Sequence, residues 1–334
     1  MPASDEFKQY AEAFQRLQVN PRGGGTFSPH KPCMLLAVLD MARAGLLADN
    51  RINYQPALLE RYSRFFNAVK SPGDHAHPYF PFFHLRGHLR GGAPSFWHLH
   101  APPGREAVLE AMDSARSSSH ITQNVSHASL DQGLHHLLQD PANCDALSAV
   151  VVQAWFDRSP QDMSGLLKRS AAISQYERTL RTQSASVITQ QPTLPASVRS
   201  PAFRRVVIQA YDYRCAATGE RIITPSGEAL VEAAHIHPFS ESADDDPRNG
   251  LALSRDMHWA MDRNLIAPGP DLKWHVSKVL DPRIPDFKRL CELKGQRLLL
   301  PAETRLTPKL ESLEWRMERL RDPDWSATAE DAED

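Results

Sequence analysis

The sequence has little of what would place it in several broad classes. Four cysteines, Cys33, Cys144, Cys215 and Cys291, are scattered over 334 residues with no C-x-x-C pair, so neither a disulfide framework nor a thiol-based zinc knuckle is indicated. Thr218 stands where a second thiol after Cys215 would sit, and no structural zinc is expected. No segment approaches the roughly 18 uninterrupted apolar residues of a membrane span. The start, MPASDEFKQY, lacks the basic and apolar regions of a secretion signal, so the expectation is no membrane partner and a cytoplasmic location. A glycine-rich phosphate loop and a Ser-His-Asp elbow are both missing from the pattern. Charge of one sign is missing too, since the net charge is −2.

What is present is an ordinary globular composition, 41% hydrophobic and 23% charged. The length favours two domains. The boundary falls at residues 182–198, TQSASVITQQPTLPASV, where Ser, Thr, Gln and Pro replace charge and large aromatics. This divides the chain into a domain at 1–181, a linker at 182–198, a domain at 199–321 and an acidic tail at 322–334. The tail holds six acids and no base, so the rest of the chain carries a small positive excess. That excess permits phosphate binding without requiring it.

Apolar residues recurring at three and four predict a helix over residues 7–17. Further helices are expected at 33–44, ended by Gly45, and at 58–69, with others from residue 105 onward, including 135–139 and 146–156. The aromatic stretch 79–99 reads as two strands joined at Gly91-Gly92. Beyond the linker, a helix is expected at 202–211, then strands at 214–223 and 229–236 around Pro225-Ser226-Gly227. A polar loop at 240–249 follows, and then a helix at 255–263 capped by Ser254.

That last unit carries the chemistry. His235 stands at a strand end, Asn249 closes the loop, and His258 lies on the helix. A base titrating near neutrality and a Lewis acid on the phosphate are the two needs of phosphodiester hydrolysis, and two facing imidazoles can serve both. The blocks CAATG, LVEAAHIHPF, DDDPRNGLAL and MHWAMDRNLI resemble the HNH endonucleases, in the branch common among restriction enzymes, over about residues 199–320.

The resemblance implies an α+β chain whose C-terminal part is a ββα-metal domain. It implies His235 as general base, Asn249 as the loop-ordering residue, His258 as metal ligand, and a Mg²⁺ or Mn²⁺ ion as cofactor. Many HNH enzymes place Asp directly before the base as a second ligand, and here that position is Ala234. Asp262, one turn after His258, is the favoured substitute, with Glu232 and His237 as the others. The run Asp244-Asp245-Asp246 is expected to be a solvated loop, Cys215 a packed thiol, and Arg204, Arg205 and Arg214 either phosphate contacts or surface charges.

Before the linker, SPHKPCMLLAVLD at 28–40 and HPYFPFFHLRGH at 77–88, followed by Phe96-Trp97, resemble the sulfur-binding domain that precedes HNH domains in modification-dependent, type IV restriction enzymes. The likeness covers about residues 5–155 and implies a helix-rich mixed reader of phosphorothioated double-stranded DNA. A phosphorothioate sulfur is more weakly hydrated than oxygen, so a dry wall favours it while donors hold nearby phosphates. The implied wall is Tyr79, Phe80, Pro81 and Phe82, and the donors are His30 and Lys31. His84 departs from the small residue of the family. A modified cytosine base in place of sulfur, and a regulatory DNA binder in place of a nuclease, are the other readings. Double-strand cutting implies a homodimer.

Overall fold

The computed structural model describes residues 4–22, 26–156, 160–182 and 194–321. The glycine triplet at 23–25, most of the expected linker and the acidic tail lie outside the described residues. The chain is an α+β protein that divides into two compact units, Met1–Arg178 with Ile223–Glu228, and Thr179–Ile222 with Ala229–Asp334. All its described sheets are two-stranded and antiparallel.

The first unit opens with α1 (Asp5–Gln15), whose cap Ser4 accepts the Phe7 N–H, and a small ribbon of β1 (Pro21–Arg22) and β2 (Thr26–Phe27). Helix α2 (His30–Arg43) is buried at every position from Pro32 to Arg43. A helix buried all round belongs at the centre of a core, so α2 is the axis of this unit. It packs on α3 (Pro56–Val69), α4 (Tyr79–His84) and α8 (Pro141–Trp155). Gly45, at φ +76°, ends it: the Gly45 and Leu46 N–H groups close back on Ala42 and Met41. Strand β3 (Trp97–His100) pairs with β4 (His127–Leu130), and α5 (Glu106–Glu110), α6 (Ser118–Asn124) and α7 (Gln132–Leu137) surround that ribbon. Helix α9 (Pro160–Thr182) follows.

Residues 79–84 are helical, which corrects the strand expected there. Pro81 falls in the first turn, where its missing N–H costs nothing, whereas in a strand it would remove a ladder bond. Gly91 and Gly92 do make a turn, both at positive φ, but β3 finds its partner thirty residues later rather than across that turn.

A buried ionic knot ties α2, α3 and α9 together. The Asp40 carboxylate accepts from Arg61 Nε and Arg64 Nη2, both at 3.0 Å, and from Ser174 Oγ at 2.7 Å. Arg61 reaches on to Glu177 at 2.6 Å, and neither Asp40 nor Arg61 is exposed at all. Removing one member leaves an uncompensated charge in a dry core, so Asp40→Ala is expected to cost about 3 kcal/mol. Urea unfolding of the full chain measures it; a loss under 1 kcal/mol would mean the knot relaxes freely.

The second unit contains α10 (Ala196–Ala210), β5 (Val231–His235), α11 (Phe239–Ser242), a 3₁₀ turn at Pro247–Asn249, β6 (Gly250–Ser254) and α12 (Arg255–Asp262). After these come β7 (Ile266–Pro268), β8 (Trp274–Val276), α13 (Lys288–Cys291) and α14 (Leu310–Glu318).

Strand β5 pairs with β6 in the register Val231↔Ser254 to His235↔Gly250. The expected partner at 214–223 forms no strand. The Cys215 and Glu220 backbones bond each other across a tight turn, the Gly219 N–H closing on Cys215 O at 2.8 Å. All five residues of β6 are buried, and a strand buried on both faces shows none of the alternation by which strands are read from sequence. Ser254 occupies the N-cap of α12 but donates its hydroxyl to Asp256 at 2.6 Å instead of accepting a helix N–H.

Candidate active site and cavity

The site grows from the two strands and the helix that follows them. His235 is the last residue of β5 and faces Gly250 across the ladder. A side chain at Gly250 would meet Phe203 at 2.8 Å and Val207 at 2.6 Å. Glycine there lets α10 lie close, and the Phe203 ring stacks flat on the His235 imidazole, 4.0 Å between centroids and 0° between planes. The ring is thereby held in one plane, with 23% of the side chain still exposed.

His235 Nε2 lies 3.1 Å from Asp245 Oδ1. Asp245 is only 2% exposed, and its second oxygen meets Arg199 at 2.5 Å. Burial raises the Asp245 carboxyl, but the bonds from His235 and Arg199 outweigh it and hold the group below the usual carboxylate range. An ionised carboxylate only accepts, so the proton of a neutral His235 sits on Nε2, and Nδ1 keeps a lone pair. This overturns the expectation that residues 244–246 are solvated. All three are buried because the fold supplies each with a cation: Lys309 for Asp244, Arg199 for Asp245, and Arg248 for Asp246. The triplet of acids was visible in the sequence, but the partners lie up to 65 residues away.

Asn249 is fully buried and orders the loop. Its Oδ1 accepts the His237 N–H at 2.9 Å, and its Nδ2 donates to His237 O at 2.9 Å and Asp244 O at 3.1 Å. Arg316 of α14, which sequence reasoning missed, clamps the strand end to the helix end. Its guanidinium donates to Ile236 O at 2.7 Å, Met261 O at 3.2 Å and Asn264 Oδ1 at 3.3 Å. Burial pushes its pKa down to about 10. Nothing in a lone Arg of an amphipathic helix marks such a role.

On α12, His258 stands between two carboxylates, Glu232 Oε2 at 3.4 Å from Nδ1 and Asp262 Oδ2 at 3.4 Å from Nε2. Glu232 is also held by Arg255 Nε at 2.9 Å. His237 is not part of this group; its ring stacks on Trp315 at 4.1 Å. The two carboxylates approach opposite ring nitrogens, and among the described residues no three His, Cys, Asp or Glu side chains converge as a metal cage. The chain thus offers one imidazole and one carboxylate at a time. That donor set fits a hard divalent ion of the Mg²⁺ type, which keeps several waters and takes further oxygens from substrate phosphate. Cys215 is buried and its Sγ accepts the Ser254 N–H at 3.4 Å. Arg205 is buried as well, so it is neither the phosphate contact nor the surface charge that were the two readings of it.

In the first unit a cavity of about 540 Å³ is lined by Gln18, Asn20, Ser28, His30, Lys31, His77, Phe80, Pro81 and His84, together with Val19. Five of the seven residues expected at the modification site meet there. Phe82 does not: it is fully buried, edge-on to Trp97, whose indole N–H donates to Phe82 O at 3.0 Å. Tyr79 packs beside Phe80 and is not among the lining residues. His30 has spent both ring nitrogens, on Ser28 Oγ at 2.9 Å and His75 O at 3.1 Å, and burial lowers its pKa. His84 is lowered by burial and by the Lys31 and Arg86 charges, and bonds Ser114 Oγ at 3.1 Å. Lys31, half-buried with a lowered pKa, forms no ion pair among the described residues.

An antiparallel strand pair feeds a helix, with one histidine at the strand end and a second on the helix, a ββα arrangement. Residues 215–267 match the sequence model of the HNH endonucleases, so the chain carries an HNH endonuclease domain. A solved structure, a modification-dependent TagI restriction endonuclease, aligns with 39% of this chain and 41% of its own at 20% identity and a TM-score of 0.28. The alignment therefore spans under half of either protein. No curated protein matches the chain. No helix among the described residues is long and apolar enough to cross a membrane.

Proposed function

We propose that the protein is a modification-dependent DNA endonuclease of the type IV restriction kind. In this reading the HNH domain hydrolyses the backbone and the first unit admits only modified, phosphorothioated DNA. The observation that carries the nuclease half is the His235–Asp245 pair. A base whose tautomer is fixed by a buried carboxylate and whose ring plane is fixed by Phe203 suits proton abstraction, and a mere DNA binder has no use for it. His235 Nδ1 takes a proton from the attacking water while Asp245 holds Nε2–H. Asn249 keeps the loop that carries Asp245 in register with the strand.

His258 and Asp262 would hold the divalent ion, which when bound supplies Lewis-acid stabilisation to the phosphate oxygens. Glu232, anchored by Arg255, fits the role of the carboxylate that holds His258 Nδ1–H and turns Nε2 toward the ion. The expected ends are 5′-phosphate and 3′-hydroxyl. The partner is double-stranded DNA, and a homodimer brings the two sites that a double-strand break needs.

The selection half rests on the cavity, whose walls divide into a dry side, Phe80 and Pro81, and the unneutralised Lys31. A modified cytosine base is the second reading. It is favoured by the line of rings His77, Phe80 and His84, the last two stacked at 5.9 Å and 17°, because a flipped base needs a face to stack on. The test is cleavage of matched plasmids with and without phosphorothioate, and of methylated and hydroxymethylated DNA, in Mg²⁺ and Mn²⁺, with His235→Ala as control. Cutting confined to phosphorothioate plasmid supports the sulfur reading, and cutting confined to modified-cytosine DNA replaces it with the base reading. No cutting of any substrate in either metal would leave the regulatory binder.

A further inference from the structure

Helix α12 buries Met257, Ala260 and Met261 and leaves the opposite side open. On that open side stands Trp259, next in sequence to His258 and 57% exposed. Among the described tryptophans it is the one that stands out: Trp97, Trp155 and Trp274 are buried, and Trp315 is covered by the His237 ring. Exposing most of an indole to water forfeits the burial that usually makes tryptophan worth its size. Four residues to either side stand Arg255, whose side chain is 84% exposed and bonds Glu232 through Nε alone at 2.9 Å, and Arg263, also exposed and without an ion pair among the described residues. Positions four apart share a helix stripe, and at 1.5 Å per residue the two arginines bracket the indole by roughly 6 Å on each side along the axis. An aromatic flanked by cations on a nuclease helix matches a nucleic-acid groove: guanidinium groups for phosphates on its two walls and an indole for the bases between them.

We propose that Trp259 is a wedge that enters the DNA minor groove beside the scissile phosphate and unstacks a base step, holding the strand against His258. The proposal rests on the nuclease reading of the HNH domain. It goes beyond that reading by assigning substrate positioning to a residue outside the histidine and carboxylate set. Because His258 and Trp259 are adjacent, a phosphate brought to the first places its neighbouring bases at the second. The minor groove, about 6 Å wide, admits the edge of an indole but closes fully on it only when a base step opens.

The test uses the full chain in two assays. In the first, the His235→Ala variant, which leaves DNA uncut, is titrated with a 30-base-pair duplex while tryptophan emission is followed. Wedging quenches the exposed indole, and adding Trp259→Phe to the same background removes that quench. In the second, cleavage rates are compared on an intact duplex carrying the modification whose plasmid is cut in the preceding test and on the same modified duplex with a mismatch at the cut site. Trp259→Ala is expected to cut the intact duplex roughly ten- to a hundredfold more slowly, the range set by loss of one base–aromatic stack. It should recover most of that loss on the mismatched duplex, where the step is already open. Trp259→Phe restores cleavage on both.

Equal rates for Trp259→Ala and wild type on the intact duplex, or a quench that survives Trp259→Phe, overturn the wedge. A loss by Trp259→Ala that is the same on both duplexes also overturns it, since unstacking would then be irrelevant. Wild-type chain that cuts neither duplex nor any plasmid of the preceding test, while the quench in His235→Ala persists and depends on Trp259, supports the contact and refutes the nuclease reading instead. Conversion of a dimer to monomer by Trp259→Ala in light scattering, with DNA affinity unchanged, identifies the face as a self-association surface and overturns the proposal.

Discussion

Asp245→Asn is expected to slow cleavage of the cognate duplex by roughly 10²- to 10⁴-fold, approaching the loss from His235→Ala itself. The substitution keeps shape and volume but replaces an acceptor with a group that can donate. The His235 ring can then carry its proton on Nδ1, the nitrogen needed as base, while Phe203 and Arg199 still surround the pair. The Asp245 oxygen lies 3.1 Å from Nε2, so the effect acts through the tautomer and orientation of His235 and not through direct contact with DNA.

A pH profile separates this from simple loss of fold. The Asp245 carboxyl is held below its ordinary value in the folded state. Its contribution to stability is therefore fully present above the unfolded value, about 4, and is lost as pH falls through the folded value. Wild type should exceed Asp245→Asn in stability at pH 7, and the gap should shrink toward pH 3. The rate defect at pH 7 should persist when both proteins are fully folded. A variant that cuts within threefold of wild type would remove Asp245 from the mechanism.

His258→Ala is expected to abolish divalent-ion binding measured by calorimetry with Mn²⁺ and to lower cleavage by roughly 10³-fold, since the ion's charge stabilisation is worth several kcal/mol. The carboxylates on the two ring edges should differ. Asp262→Ala removes a proposed ligand and should weaken binding most. Glu232→Gln should weaken it by about 10- to 100-fold, the usual effect of losing the group that orients a ligating imidazole. If Glu232→Gln eliminates ion binding and Asp262→Ala leaves it intact, the two roles are exchanged: the ion then sits at Nδ1 between strand and helix, not at Nε2 along the helix.

Much of the second unit was legible because its signals are local. His235, Asn249 and His258 stand in one strand–loop–strand–helix passage of 24 residues, and the spacing of the blocks survives without any long-range information. The helices at α1, α2 and α3 were legible for the same reason, from apolar residues close in sequence and, for α2, the stop at Gly45. The failures share a cause as well. Residues 79–84 and 250–254 are short and apolar throughout, and neither period can be read from such a run; Pro81 was the cue for helix that aromatic content masked. The acids at 244–246 looked solvated because a run of like charge usually is, and only the arrival of Arg199, Arg248 and Lys309 lets them be buried.

The sequence by itself determined which side chains could carry the chemistry and the order in which they come. Through the resemblance its spaced blocks carry, it also implied the α+β class; periodicity, proline and glycine act over only a few residues at a time. Only the tertiary structure decided how those side chains are tuned. Asp245, rather than any neighbour in the strand, orients His235; His258 sits between two carboxylates; Arg316 ties strand end to helix end; and Phe82 belongs to the core while Phe80 and His84 line the cavity. Several of these contacts run across tens of residues, from 26 for Glu232–His258 to 80 for Arg316–Ile236, and are made by electrostatics and packing between elements brought together on folding; no local pattern encodes which distant group arrives.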